Sequence, residues 1–178
     1  VNKLPPARAL TFDLETGHSK TWRYWQLPSP WEPTDGGGQE DATPLVDELE
    51  HLLEDAVRRQ FVADVPVGIL LSGGVDSSLV TAMAARTGSR IKTFTICFPE
   101  YGKYDETEHA RLIARHFGTE HTELEGEPST VELLPMLAHQ FDEPMVDSSM
   151  IPTYLVSKLV RQHCTVALGG DGGDELFG

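Results

Sequence analysis

Val67-Gly68-Ile69-Leu70-Leu71-Ser72-Gly73-Gly74-Val75-Asp76-Ser77-Ser78 is the stretch on which the fold turns. It opens as an unbroken apolar run of strand length and passes through a glycine-rich turn. Leu79, Val80, Met83 and Ala84 then continue at helical spacing. A buried strand that turns straight into a helix leaves the first helical N–H groups unpaired, and these make an anion site. Gly73 and Gly74 let the backbone come close to a ligand. The hydroxyls of Ser72, Ser77 and Ser78 add neutral donors. No lysine follows the glycines, so this is not the GxxxxGK(S/T) loop, and the spacing is not GxGxxG either. The competing reading is a tight turn in which Asp76 or Ser77 merely caps the helix.

Working outward, strand and helix alternate. Strands are expected at 67–71, 91–97, 120–124 and 164–168, and helices at 76–86, 106–117, 129–140 and 152–163. Asp105 and Glu108 are spaced as a capping box for the second of these helices. The alternation implies an α/β fold, a parallel sheet with helices on both faces, whose ligands bind at the carboxyl edge of the strands. A further helix is expected from Pro44, with Leu45, Leu49, Leu52, Leu53, Ala56 and Val57 on one face. Residues 28 to 44 carry four prolines and the run Gly36 to Gly38, which is linker composition. Residues 1 to 27 read as a hairpin: Ala9 to Phe12, a turn at Glu15 to His18, and a return at Thr21 to Trp25.

Composition narrows the function. At 178 residues, with 39% hydrophobic residues and a mean hydropathy of -0.26, the chain suits one soluble domain plus appendages. No apolar run approaches the ~20 residues that span a membrane, and no signal-peptide pattern opens the chain. Cys97 and Cys164 are far apart and lie in strand-like runs, as buried thiols of a cytoplasmic protein do. The net charge of -14 argues against a nucleic-acid partner, which needs a cationic footprint. The seven histidines show no HxH or HExxH spacing, and His109 and His116 read as solvated.

The second feature is Gly169-Gly170-Asp171-Gly172-Gly173-Asp174-Glu175, directly after the last strand. It is either a flexible loop whose Asp174 caps a following helix or a partner of Asp76 across the sheet edge. In the second case four carboxylates near a phosphate site would repel it unless a divalent cation intervenes. Mg²⁺ takes one or two carboxylates plus phosphate oxygens, so Asp76 and Asp174 are the candidate ligands. No Lys or Arg lies between Val65 and Ala85 or after Arg161, although a pyrophosphate leaving group calls for a cation. Either a metal does all of that work or a basic residue comes from sequence beyond Gly178. The ending at a glycine inside a loop favours the second, and the chain reads as truncated. The acids of Phe141 to Ser149 either orient a substrate or cap the helix that follows.

The stretch from Glu54 to Ser78 resembles the start of the synthetase domain of glutamine-hydrolysing asparagine synthetases. Phe141 to Pro144 and Gly169 to Gly178 resemble two further blocks of that family, in the same order. Residues 1–27 look like the tail of its N-terminal glutamine amidotransferase domain, residues 28–43 a linker, and 44–178 the start of the synthetase domain. Val1 cannot act as that family's N-terminal nucleophilic Cys. The resemblance implies a Rossmann-like PP-loop ATP-pyrophosphatase fold. It implies that the aspartate side chain attacks the α-phosphate of ATP, giving β-aspartyl-AMP and pyrophosphate, before ammonia derived from glutamine displaces AMP. In that family Ser72 to Ser78 would cradle pyrophosphate. Leu71 and Ile96 would contact the nucleotide, Gly169 and Gly170 would approach AMP, and Asp76 and Asp174 would bind Mg²⁺. Asp171 falls where many members carry Glu, linked to making or consuming the acyl-adenylate, and Gly169 replaces a common Ser. The resemblance further implies a cytoplasmic enzyme with no membrane or nucleic-acid partner, a homodimer at full length. A β-lactam synthetase-like amide former on the same fold, or an ATP-binding module without turnover, are the alternatives. A PP-loop RNA-modifying enzyme is disfavoured by the charge.

Overall fold

The strand that opens the glycine turn is the centre of the sheet. In the computed structural model, which describes residues 3–26, 43–88, 90–97, 106–126, 131–141, 147 and 149–177, the elements in chain order are as follows. A hairpin of β1 (Arg8–Phe12) and β2 (Ser19–Arg23) precedes α1 (Thr43–Gln60), β3 (Val67–Leu70), α2 (Val75–Ala85) and β4 (Lys92–Cys97). Then come α3 (Thr107–Phe117), β5 (Glu120–Glu125), a 3-10 turn at Val131–Leu133, α4 (Leu134–Phe141), α5 (Met150–Val160), β6 (Val166–Leu168) and α6 (Gly173–Phe177). The chain divides into two compact units, Val1–Asp41 and Ala42–Gly178.

In the second unit the four strands run parallel in the order β5-β4-β3-β6. The chain steps outward from β3 to β5, then returns to the far side of β3. Between β3 and β6 the winding reverses, and in open α/β sheets that reversal opens a crevice beyond the strand ends. Burial on both faces agrees. Ile69 packs with Val57, Met83, Ala84 and Ile91 on the α1–α2 side. Phe94, Val160 and Cys164, with Leu70 and Ala167 beside them, pack on the α5 side. Leu71 closes against Ala110 and Ala114 of α3. Arg86, the residue that caps the C-terminus of α2, pairs with Glu50 and Glu54, tying α2 to α1.

Several boundaries shift, each for a local reason. Helix α4 starts at Leu134, not 129, because Pro135 is accommodated only in a first helical turn. Strand β6 starts at Val166, not 164. The Cys164 N–H still donates to the Val160 carbonyl as the end of the helical turn, and Thr165 N–H donates to Pro66 O. Cys164 is thus buried ahead of the strand, and Cys97, within β4, is only half-buried. The return strand of the hairpin begins at Ser19 rather than Thr21. There the Asp13 carboxylate accepts the N–H groups of Glu15 and Thr16, and Asp13 N–H donates to His18 O across the turn. The residue flanking α3 is Glu106, without a side-chain cap; Asp105, and with it the expected capping box, lies outside the described residues. So do residues 27–42 and 142–146, and with them the linker and most of the Phe141–Ser149 acids. Of those acids, Asp147 is described: its carboxylate accepts the Ser149 N–H at 2.8 Å, which holds it below the usual carboxylate range. No helix among the described residues is long and apolar enough to cross a membrane.

Candidate functional site

The turn after β3 is braced by its own serines. Ser77 Oγ lies 2.9 Å from Ser72 Oγ, accepts the Ser72 N–H and donates to Gly74 O. Ser72 Oγ accepts the Gly74 N–H. The N-cap of α2 is Gly74, with no side-chain cap, so neither Asp76 nor Ser77 caps the helix. Side chains leave the α2 amino end uncapped, and its first N–H groups are the donors that an anion site needs.

The glycines are used differently from one another. Gly73 has φ +86°, and a Cβ there would lie 2.6 Å from both the Ala110 N and the His109 Cβ. A side chain there would meet α3. A Cβ on Gly170 would lie 2.8 Å from the Asp76 Cβ and the Ser77 N, and one on Gly173 would lie 2.5 Å from the Asp76 Cγ. The loop after β6 thus lies directly against Asp76. The Asp171 carboxylate folds back over Gly169, where a Cβ would lie 2.5 Å from its Oδ2. Gly169 and Asp171 are therefore in contact with each other.

Between the loops lies a cleft of about 580 Å³, within the roughly 300–1,000 Å³ usual for small-molecule sites. Leu71, Ser72, Gly74, Asp76, Ser77 and Ile96 line it from the β3–β4 side. Gly169, Gly170, Asp171 and Asp174 line it from the β6 side. Gly73 and Ser78 do not, and the Ser78 Oγ is buried without a hydrogen-bond partner among the described residues. Asp174 stands in the first turn of α6. Sequence reading missed an apolar end made by Leu70, Phe94, Val156 and Val160, and missed Glu106 at the start of α3. Val156 and Val160 are an ordinary i, i+4 core pair, and only the return of α5 to the sheet aims them here. Among the described residues, five carboxylates (Asp76, Glu106, Asp171, Asp174, Glu175) and no Lys or Arg line the cleft.

The strand order and the cleft define a doubly wound α/β domain with a cleft at its switch point, lined by apolar side chains and by acids. The chain belongs to the asparagine synthase family, whose model matches residues 48–178. It is 40% identical over 179 residues, 99% of this chain and 33% of that protein, to a provisionally named asparagine synthetase (glutamine-hydrolysing) 2 of Methanocaldococcus jannaschii. It is 38% identical over 141 residues, 79% of this chain and 22% of that protein, to asparagine synthetase (glutamine-hydrolysing) 1 of Bacillus subtilis. The chain spans about a third of the length of the first of these relatives. Among solved structures it is similar to the NMN synthetase of Francisella tularensis, with 18% identity and a TM-score of 0.47 over 78% of this chain and 58% of that one.

Proposed function

We propose that this chain is the nucleotide-binding part of an ATP-dependent amide-forming ligase. A carboxylate oxygen of the aspartate side chain attacks the α-phosphorus of ATP. The bond from that phosphorus to the α–β bridging oxygen breaks, and pyrophosphate leaves. Ammonia, supplied from glutamine, then attacks the acyl carbon, AMP departs with the bonding pair, and the amide nitrogen releases its extra proton to solvent. The observation that carries this reading is the contact of the two glycine loops around Asp76 at the switch point, over a cleft with one apolar and one amide-lined end.

In this reading the uncapped start of α2 and the braced Ser72–Ser77 turn hold the pyrophosphate end. Leu71 and Ile96 flank the base, while the Gly169 and Gly170 backbone comes against the AMP portion. Asp171 faces the acyl-adenylate. The donor set fits Mg²⁺, because Asp76 and Asp174 line one cleft and Gly173 leaves the Asp76 carboxylate the space a Cβ would fill. Asp76 and Asp174 would hold the ion, and when bound it would neutralise phosphate charge that, among the described residues lining this cleft, no Lys or Arg meets. The hairpin of residues 8–23 is read as the tail of an amidotransferase domain.

The test is pyrophosphate release from Mg·ATP by the protein together with its flanking sequence, with aspartate compared against other carboxylic acids. Aspartate-dependent pyrophosphate and AMP are expected. ADP in place of AMP would overturn the mechanism, and release indifferent to aspartate would overturn the substrate.

A further inference from the structure

Two cavities flank the loop after β6, and α6 stands between them. The first is the cleft described above. The second, of about 150 Å³, is lined by Leu53 and Val57 of α1, Leu79, Val80 and Met83 of α2, and Leu176 of α6. Asp76 and residues 169–173 line both. The next residues divide between the two. Asp174 lines the cleft and not the pocket, while Leu176 lines the pocket and not the cleft. Two residues apart on a helix, their side chains leave on opposite faces.

Leu176 stands at the mouth of the pocket and is 77% exposed. A cavity of roughly this size with aliphatic walls takes one small apolar group, and a leucine side chain is such a group. Helix α6 is lightly held. Its five residues are too few to keep a helix by their own hydrogen bonds, so its order must come from packing. It is entered through Gly172, at φ +93°, where a Cβ would meet nothing within 4 Å. Its start is tied by a bond of 3.3 Å from the Gly173 N–H to Gly170 O.

We propose that Leu176 is a positioning residue for Asp174. Seated in the α1–α2 pocket, it orders α6 and holds the Asp174 carboxylate at the cleft. Ordering of α6 and metal binding are then linked, and each strengthens the other. This rests on the reading above, in which Asp76 and Asp174 hold Mg²⁺. It adds the apolar anchor that sets the second of those carboxylates.

The experiment measures ATP binding by titration calorimetry, with Mg²⁺ and with a chelator, on the protein with its flanking sequence. Leu176→Ala deletes the anchor, Leu176→Met keeps an apolar side chain of similar size, and Val80→Phe fills the pocket from within. Leu176→Ala is expected to weaken Mg²⁺-dependent ATP binding about tenfold, the scale of burying most of one leucine. Binding in chelator should not change. Leu176→Met should restore the Mg²⁺-dependent affinity. Val80→Phe should cost a similar factor, and adding Leu176→Ala to it should cost nothing more. Mg·ATP should also slow hydrogen exchange across residues 173–177 in the native protein and not in Leu176→Ala. Unchanged or tighter Mg²⁺-dependent binding by Leu176→Ala overturns the proposal. So does an equal loss with and without Mg²⁺, which would assign Leu176 to packing alone. Failure of Leu176→Met to restore affinity, no loss in Val80→Phe, additive losses in the double variant, or equal exchange protection in Leu176→Ala would each overturn it too. ATP binding by the native protein without any dependence on Mg²⁺ would overturn the metal reading, and absence of ATP binding the ligase reading, so the failures are distinct.

Discussion

The two glycine loops at the sheet edge look alike in sequence and are held by different means. The loop after β3 is fixed from within, by hydrogen bonds among Ser72, Gly74 and Ser77. The loop after β6 has one such internal bond, from the Gly173 N–H to Gly170 O, and takes its shape from lying on Asp76 and the start of α2. One loop is a local structure. The other is a mould of its neighbour. A site assembled this way has a rigid half that positions charge and a dependent half that follows it.

The comparison can be broken most sharply at the positive-φ glycines. Gly73→Ala is expected to destabilise the chain by roughly 3 kcal/mol, adding the left-handed backbone cost to overpacking against α3. Gly172 has a similar φ, +93°, with nothing within 4 Å of a Cβ. Gly172→Ala should therefore cost only the backbone share, about 1 kcal/mol. Chemical denaturation of the two variants checks the difference, and similar values would mean that α3 yields freely.

A smaller effect is expected from deleting the internal brace. Ser77→Ala removes three hydrogen bonds of a side chain only 6% exposed; about 1.5 kcal/mol is expected, with the loop loosened in hydrogen exchange at Ser72 and Gly74. Gly173→Ala should cost a comparable amount, about 1 kcal/mol, because the obstructing atoms are a carboxylate end that can swing. Its mark should be functional: Asp76 leaves its place, so Mg²⁺-dependent ATP binding falls more than stability does. Unchanged Mg²⁺ dependence, measured by titration calorimetry, would remove Asp76 from the metal assignment.

The smallest effect lies away from both loops and serves as their control. His121 of β5 gives its Nδ1 to Thr93 at 2.9 Å, while its Nε2 is buried without a partner among the described residues. Burial pushes its pKa below the ordinary 6.5, partly opposed by Glu123 and reinforced by Arg111. The folded chain therefore binds the proton less readily than the unfolded one. Stability is full above pH 6.5 and declines as the pH falls through that value toward the lower folded pKa. Denaturation midpoints between pH 7.5 and 5 should show this decline, and His121→Gln should flatten it.

What was legible in the sequence follows the same division. Strand β3, its turn and α2 are written locally, in an apolar run, two glycines and a helical period, and were placed within a residue. The hydroxyls of Ser72 and Ser77 were recognised as donors. That they spend bonds on one another was not visible, because it depends on how the turn closes. The reason for Gly73 was likewise hidden, since nothing near it in sequence announces that α3 lies there. Val156, Val160 and Glu106 came from the return of distant segments to the switch point, which periodicity does not encode.

The strand order has a consequence for how the molecule is made. The cleft needs β3, at residues 67–70, beside β6, at residues 166–168, so its halves meet only after the longest-range pairing of the sheet. Non-local pairings of this kind come late, because loop closure must precede their reward. A ligand held in this cleft would then act as a latch on the folded chain, slowing its unfolding while leaving its folding rate nearly untouched.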